Sequence, residues 1–287
     1  MGLPFQAARQ FGVPVCPEER PEAVAMRLFL NHPRAFNFAW ALYSYRASSA
    51  NISQHWLQRN EMDMNESALS SFTRGMQEFF TAQNRGRECR VSFYDEDKEA
   101  VVLVLHGSYK RTVACWQGQE LTMNCFRPAC EDVLIYDKSR RVLSITVSNR
   151  GDREHYVRSF AGIVLGDAAL ADDPRRDLVY TLEPLQTGEF DWVGNGAVSA
   201  VELLEARLQL SGNSAVLALE GDGTERAVAR MDRGRLIEAK FRFTIMTDDR
   251  QDRVTLTIAP PCVTDAVKKR HADVLADYFR KKGVMLR

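Results

Sequence analysis

The stretch RVSFYDEDKEAVVLVLHG, residues 90–107, decides the fold class. Two apolar runs, 90–94 and 100–106, flank four charged residues, Asp95 to Lys98. Short runs rich in Val, Leu and aromatic residues, with polar residues between them, predict two strands joined by a turn. Before Gly86 the apolar residues follow a helical period, and after it they follow a period of two. The chain therefore changes from helix to sheet near this glycine.

Similar runs recur downstream. Gly107-Ser108 and Gln117-Gly118 separate two further runs as turns, and Pro260-Pro261 ends the series. Helices are predicted at 153–165 and 264–282. The further predicted strands are 111–116, 119–125, 132–136, 142–147, 178–182, 198–210, 215–219, 236–246 and 253–259.

Upstream, residues 1–20 predict an extended arm, followed by helices. Pro21 begins one helix and Pro33 the next, in which Phe36, Trp40 and Tyr43 form part of a buried stripe. A third helix is predicted at 49–60. Asn65 caps a fourth, which ends at Asn84-Arg85-Gly86.

Runs of helices and runs of strands, rather than strict alternation, predict an α+β protein. It would have an N-terminal helical unit, a mainly antiparallel sheet region and a C-terminal helix. The predicted domains are 1–86, 87–175 and 176–287. The first is helical, the second is β-rich and contains a nuclease-like hairpin and helix, and the third is a sheet with the terminal helix. The last two could form one domain.

The composition of the 287 residues excludes several classes. With 38 basic and 38 acidic residues, the chain does not favour whole-surface binding to nucleic acid or to an anionic membrane. No apolar run approaches the ~20 residues of a membrane span, and the N-terminus lacks a secretory apolar region, so a cytoplasmic location is expected. Six cysteines in such a chain predict free thiols, and no cofactor motif is present.

A nuclease core is one candidate site. The strand, turn, strand and helix of residues 132–165 resemble PD-(D/E)xK nucleases, in which an Asp and a Glu bind Mg²⁺ and a Lys supports the attacking water. Asp132 matches the Asp, but the second strand has Ser144-Ile145-Thr146 in place of Glu-x-Lys. The resemblance at this hairpin therefore implies an inactive version, and an ordinary hairpin is the alternative.

A Glu-x-Lys pattern does occur at Glu238-Ala239-Lys240. Asp222 is the better-spaced acidic partner for it, since Asp232 is only six residues away. These three residues, Asp222, Glu238 and Lys240, are the alternative catalytic set of a divergent Mg²⁺ nuclease. The competing interpretation is the polar face of an alternating strand, with Ala239 and Phe241 on the opposite face.

Cysteine and histidine spacing suggests one metal candidate. His106, Cys115, Cys125 and Cys130 lie within 25 residues, but structural zinc prefers tighter Cys pairs. The strand cysteines are also expected to face a core. The prediction is therefore free core thiols and no metal site.

Two basic clusters on the predicted terminal helix are candidate nucleic-acid contacts. One is Lys268, Lys269 and Arg270, and the other is Arg280, Lys281 and Lys282. The second cluster is also favoured by the helix dipole, so a solvated face is the alternative. A helix-turn-helix is a further hypothesis, because residues 52–60 contain side chains that can reach base edges.

One further segment, residues 125–167, resembles stretches of uncharacterised bacterial proteins from phage-defence-type gene clusters. Its sequence is Cys125 followed by FRPACEDVLIYDKSRRVLSITVSNRGDREHYVRSFAGIVLGD. The resemblance covers about 45 residues and includes no catalytic signature. It implies an accessory or sensor role beside a helicase, ATPase or nuclease. The leading hypothesis is a non-enzymatic accessory subunit that binds a protein partner, and DNA or RNA is a further candidate ligand. A divergent nuclease and a purely structural subunit are the alternatives.

Overall fold

The computed structural model describes residues 2–48, 52–59, 61–147, 149–210, 215–231, 234–247, 250–268 and 271–286. The helices of these ranges are α1 (Leu3–Gln10), α2 (Pro21–Asn31), α3 (Pro33–Ala47), α4 (Glu66–Ala82), α5 (Arg150–Ser159), α6 (Glu183–Gln186), α7 (Thr224–Ala229) and α8 (Ala272–Lys281). A π-helical turn, Phe160–Val164, continues α5.

The strands are β1 (Ile52–Trp56), β2 (Cys89–Asp95), β3 (Glu99–Gly107), β4 (Arg111–Gln117), β5 (Glu120–Phe126), β6 (Ala129–Asp137), β7 (Val142–Ile145), β8 (Val198–Gln209), β9 (Val216–Glu220), β10 (Arg235–Thr247), β11 (Arg250–Ala259) and β12 (Val263–Thr264). Their pairing is mainly antiparallel, so the predicted α+β class is confirmed.

The chain forms two compact units, each assembled from several segments. Unit 1 contains residues 1–48, 59–139 and 145–171, and unit 2 contains residues 49–58, 140–144 and 172–287. The sequence analysis divides the chain into three consecutive ranges, 1–86, 87–175 and 176–287. Each of the two units instead combines segments from separate parts of the chain.

Unit 1 is built on the antiparallel strands β2, β3 and β6, in that order. Phe93, Val102 and Leu134 lie side by side across the three strands and share one face. Helix α4 packs on this face, where the rings of Phe72 and Phe93 are 5.7 Å apart. On the opposite face Phe38 of α3 contacts Tyr94, with 5.3 Å between the rings. The sheet is therefore covered on both sides by helices.

Helix α4 forms where the sequence predicts it. Asn65 accepts a hydrogen bond from the Ala68 backbone N–H (2.9 Å), which satisfies one of the free donors at the helix start. Phe72, Met76 and Phe80 follow at four-residue intervals and are fully buried. Their common stripe directs the helix onto the sheet.

Unit 2 contains the strand order β7, β1, β12, β11, β10, β8, β9. Strand β10 is its centre, paired with β11 on one side and with β8 on the other. Its Phe241 and Phe243 pack against Phe279 of α8, with ring distances of 5.4 and 5.3 Å. The apolar faces of β10 and α8 thus form the core of this unit.

Four sequence predictions of local structure are wrong. Residues 52–56 form strand β1 rather than a helix, and residues 3–10 form helix α1 rather than an extended arm. Residues 178–182 contain only an isolated bridge at Tyr180 in place of a strand. The terminal helix begins at Ala272 rather than Thr264, because Thr264 pairs with both Ile52 and Ile258 in the sheet.

Candidate functional site

The proposed catalytic residues of unit 2 lie in different surroundings. Asp222, between β9 and α7, lines a cleft of about 670 Å³ together with Trp192, Glu202, Arg226 and Arg242. Glu202 and Arg242 are 3.3 Å apart and pair with each other. Neither Glu238 nor Lys240 is among the described residues that line this cleft.

Glu238 and Lys240 belong to a row of charge pairs between β8 and β10. Glu238 lies opposite Arg207, with 3.6 Å between their charged atoms, and Lys240 contacts Glu205 directly opposite it. Ala239 and Phe241 face the core, as the alternating pattern predicts. Cross-strand pairing accounts for these side chains without a metal or a substrate.

Asp132, the candidate Asp of the nuclease-like hairpin, lies in a polar network of unit 1. Its Oδ2 is 2.8 Å from His106 Nε2 and accepts a hydrogen bond from the Tyr156 hydroxyl at 2.7 Å. Burial and this carboxylate raise the pKa of Tyr156 well above its usual value. The Oδ2 atom of Asp132 therefore already contacts two protein side chains, His106 and Tyr156.

Arg85 completes the network of Asp132 and His106. Its guanidinium pairs with Asp152 and lies 4.6 Å from the ring centre of Phe80, on which His106 also stacks at 4.0 Å. A buried cation needs a paired carboxylate, and here both members of the pair are shielded from solvent. The network fixes the end of β3 against α4.

The basic side chains at the end of α8 are paired with carboxylates of unit 2. Lys281 and Arg280 lie 2.8 and 3.8 Å from the Asp277 carboxylate, and Lys282 contacts Asp191 at 2.5 Å. These contacts lower the pKa values of Asp277 and Asp191, first through the hydrogen bonds from the lysines. Of the other predicted cluster, Lys269 and Arg270 lie outside the described residues, and so does the side chain of Lys268.

In the part of the chain that the structure describes, no metal-ligating group of three or more side chains contains His106, Cys115, Cys125 or Cys130, the residues of the metal candidate. His106 is buried in the Asp132 network, whereas Cys125 is exposed on β5 and Cys115 is half-buried on β4. The expectation that these two strand cysteines face a core is therefore wrong. The helix-turn-helix hypothesis is also wrong, because residues 52–56 form a strand.

The sequence analysis predicts the strands of the β4–β5 hairpin but misses the apolar surface that this hairpin exposes. Within the described ranges these two strands pair with each other alone, as a two-stranded sheet separate from β3 and β6. In their register Trp116 lies opposite Leu121, and Ala114 lies opposite Met123, so these side chains share one face. Trp116, Met123 and Leu121 are 71%, 65% and 60% exposed. We call this surface the hairpin face.

The hairpin is firmly attached at its base. Arg127 donates hydrogen bonds to the carbonyls of Asn84 and Ser108, both at 2.7 Å. Gly107 is required there, because a Cβ atom at this position would lie 2.4 Å from the Arg85 carbonyl oxygen. At the tip, Gly118 has a φ of 66°, which a two-residue hairpin loop requires. The apolar side chains are thus presented by a defined structure.

A second exposed apolar surface lies on α2 and α3. Met26, Phe29 and Leu30 of α2 are all more than half exposed, and so is Tyr43 of α3. The prediction that the stripe of Phe36, Trp40 and Tyr43 is buried is wrong for Trp40 and Tyr43. The buried stripe of α3 instead contains Phe38, Leu42 and Tyr45.

Comparisons with known proteins give no relative: no family model matches the chain, and no curated protein matches it. In the described ranges, no helix has both the length and the apolar character needed to cross a membrane.

Proposed function

We propose that the chain is a non-enzymatic accessory or sensor subunit that binds a protein partner through the hairpin face. The observation that carries this proposal is the exposure of Trp116, Leu121 and Met123 on one side of an anchored hairpin. Contiguous exposed apolar side chains mark interaction sites, and Trp and Met are enriched at protein interfaces. The resemblance of residues 125–167 supports the accessory role in a bacterial multi-protein system.

The chemistry of the hairpin face favours protein over nucleic acid. Its paired positions carry Thr112, Ala114, Trp116 and, opposite them, Cys125, Met123 and Leu121, none of which is charged. Binding to a phosphate backbone depends on unpaired cations. Among the described residues each of the two strands has one edge without a neighbouring strand, so a partner strand could pair with the hairpin there while other partner side chains cover the apolar face.

The test is co-purification from the native host with a tagged full-length chain. The variant Trp116→Ser, Leu121→Ser, Met123→Ser removes the hairpin face and leaves its backbone pairing in place. The proposal expects one partner protein to co-purify in a fixed ratio with the natural chain and to be lost with this variant.

The matched control is Val216→Ser, Leu217→Ser on β9, where the apolar side chains are also exposed. This control should retain the partner. Equal retention of the partner by the hairpin variant, after circular dichroism has shown both variants to be folded, would overturn the proposal.

Nucleic-acid binding through Arg280, Lys281 and Lys282 stays a prediction from the sequence. The carboxylates beside these cations reduce the positive charge that is free for phosphates. Fluorescence anisotropy with short DNA and RNA, at about 50 and about 200 mM salt, measures this property directly. The accessory-subunit proposal expects no salt-sensitive binding, and salt-sensitive binding would instead support the nucleic-acid hypothesis.

A further inference from the structure

Unit 2 contains a group of three metal-ligating side chains, two of which are buried. His55 comes from β1, Asp177 from the segment that follows Asp172, and Cys262 from the segment after β11. One ligand atom from each residue lies within 4.8 Å of the other two. We propose that His55, Asp177 and Cys262 bind one zinc-class divalent ion.

The chemical types of the three ligands indicate which metal ion they would bind. Zinc binds Cys sulfur, His nitrogen and Asp oxygen at about 2.0–2.3 Å, so the ligands of a tetrahedral ion lie roughly 3.5 Å apart. Movements of about 1 Å therefore bring this group to binding distance. A thiolate and an imidazole favour zinc or cobalt over magnesium and calcium, which take oxygen ligands.

Backbone hydrogen bonds from β1 hold the segments that carry the other two ligands next to this strand. The Gln54 N–H donates to the Cys262 carbonyl at 2.8 Å, and the Trp56 N–H donates to the Arg176 carbonyl at 2.7 Å. These two bonds lie on either side of His55 in the sequence. They fix the segments that carry Cys262 and Asp177 beside the histidine.

The side-chain contacts of His55 fit a metal ligand. Its Nδ1 forms a hydrogen bond with Asp177 Oδ1 at 2.6 Å, which a bound ion would replace, and its Nε2 lies 3.2 Å from the Ser53 hydroxyl. A metal-bound histidine usually donates its other ring N–H to an oxygen, which orients the ring. Ser53 supplies that oxygen from the same face of β1, two residues away. The Arg176 Nε lies 3.2 Å from the Asp177 carboxylate and helps to hold it in place.

The same contacts also have the order of a Ser-His-Asp triad, but burial argues against hydrolysis. Ser53 is 1% exposed, so a substrate carbonyl cannot reach its hydroxyl. The Asp177 side chain is 32% exposed and leaves a route for a small ion. Three protein ligands and a water on the Asp177 side would complete a four-coordinate site.

Titration of the metal-free full-length chain with Co²⁺ tests the site, because a thiolate ligand gives cobalt a distinctive charge-transfer absorption. The expected result is one Co²⁺ per chain, displaced by Zn²⁺. Cys262→Ala should remove the absorption. Asp177→Asn, which changes the most exposed ligand, should weaken binding at least about 10-fold. The matched control Cys89→Ala, at a buried thiol of unit 1, should bind as the natural chain does.

The proposal is overturned if the natural chain binds no stoichiometric Co²⁺, or if Cys262→Ala retains the charge-transfer absorption. Should Cys262→Ala fail to fold, Asp177→Asn decides the matter, since unchanged affinity in that variant also contradicts the site.

Discussion

Strand β3 and the hairpin of β4 and β5 follow one another in unit 1 and have opposite environments. Residues 100–104 of β3 are all buried, whereas most side chains of β4 and β5 are exposed. Helices cover both faces of the sheet that contains β3, and among the described residues no helix or strand covers the hairpin face. The comparison indicates that β3 and its neighbours stabilise the fold, while the hairpin face stays exposed, as the proposed partner contact requires.

The largest expected effect lies in the covered sheet. Leu134 on β6 is fully buried beside Val102, so Leu134→Ala removes apolar contacts and leaves a cavity. The free energy of unfolding should fall by about 2–5 kcal/mol, measured by urea denaturation. Trp116→Ala on the hairpin should change it by less than about 0.5 kcal/mol. A larger loss of unfolding free energy for Trp116→Ala would contradict the view that the hairpin contributes little to the stability of the fold.

The reactivities of two thiols, Cys89 on β2 and Cys125 on the hairpin, test the same difference in burial. Burial, and then the Asp132 carboxylate, raise the pKa of Cys89 to about 11 from 9.0. Near neutral pH its thiolate fraction is therefore about 100-fold lower than that of an ordinary thiol. Cys125 on the hairpin is exposed. Mass spectrometry after timed alkylation should show Cys125 modified at least about 100-fold faster, and similar rates would contradict the assigned burial.

A smaller effect is expected in the charge row between β8 and β10. Glu238→Ala with Lys240→Ala removes two partly exposed pairs and should cost less than about 1 kcal/mol in urea denaturation. The double variant should retain the co-purifying partner. Mg²⁺-dependent cleavage of DNA or RNA by the natural chain that disappears in this variant would instead support the nuclease alternative with Asp222.

The smallest effect concerns the turn at the opposite end of β3 from the hairpin. Burial, followed by Asp95 and Asp97, raises the pKa of Glu96 to about 6 from 4.5. The folded state therefore holds this proton more tightly, and its stabilising contribution is complete below pH 4.5 and is lost as the pH rises through 6. Because Glu96 is only partly buried, solvent screening should keep the change below about 1 kcal/mol. Glu96→Gln should flatten this part of the stability curve, and an unchanged curve would contradict the assignment.

The sequence predicts the sheet better than it predicts the surfaces. Both ends of β2, β3, β4 and β5 fall within two residues of their predicted positions, because a period of two and polar turns mark them. The sequence does not identify β1, since Ser53, Gln54 and His55 are polar and yet buried. Distant residues satisfy them, as when Gln54 donates to Ser144 at 3.0 Å. Local patterns contain no information about such partners.

The hairpin face illustrates the same limit at the candidate site. Alternation in residues 111–126 predicts the two strands, but exposure depends on which helices pack against them. The pairing of Lys281 with Asp277 follows from their i, i+4 spacing and could have been predicted. The pairing of Lys282 with Asp191 joins residues 91 positions apart and required the structure.

Amide hydrogen exchange of residues 111–126 tests the central claim most directly. In the isolated chain, the amides of β4 and β5 should exchange faster than those of β3, since the hairpin has fewer buried contacts. In the co-purified complex, residues 111–126 should become protected while β3 changes little. Unchanged exchange of residues 111–126 in that complex would show that the partner binds elsewhere, and it would contradict the assignment of the hairpin face.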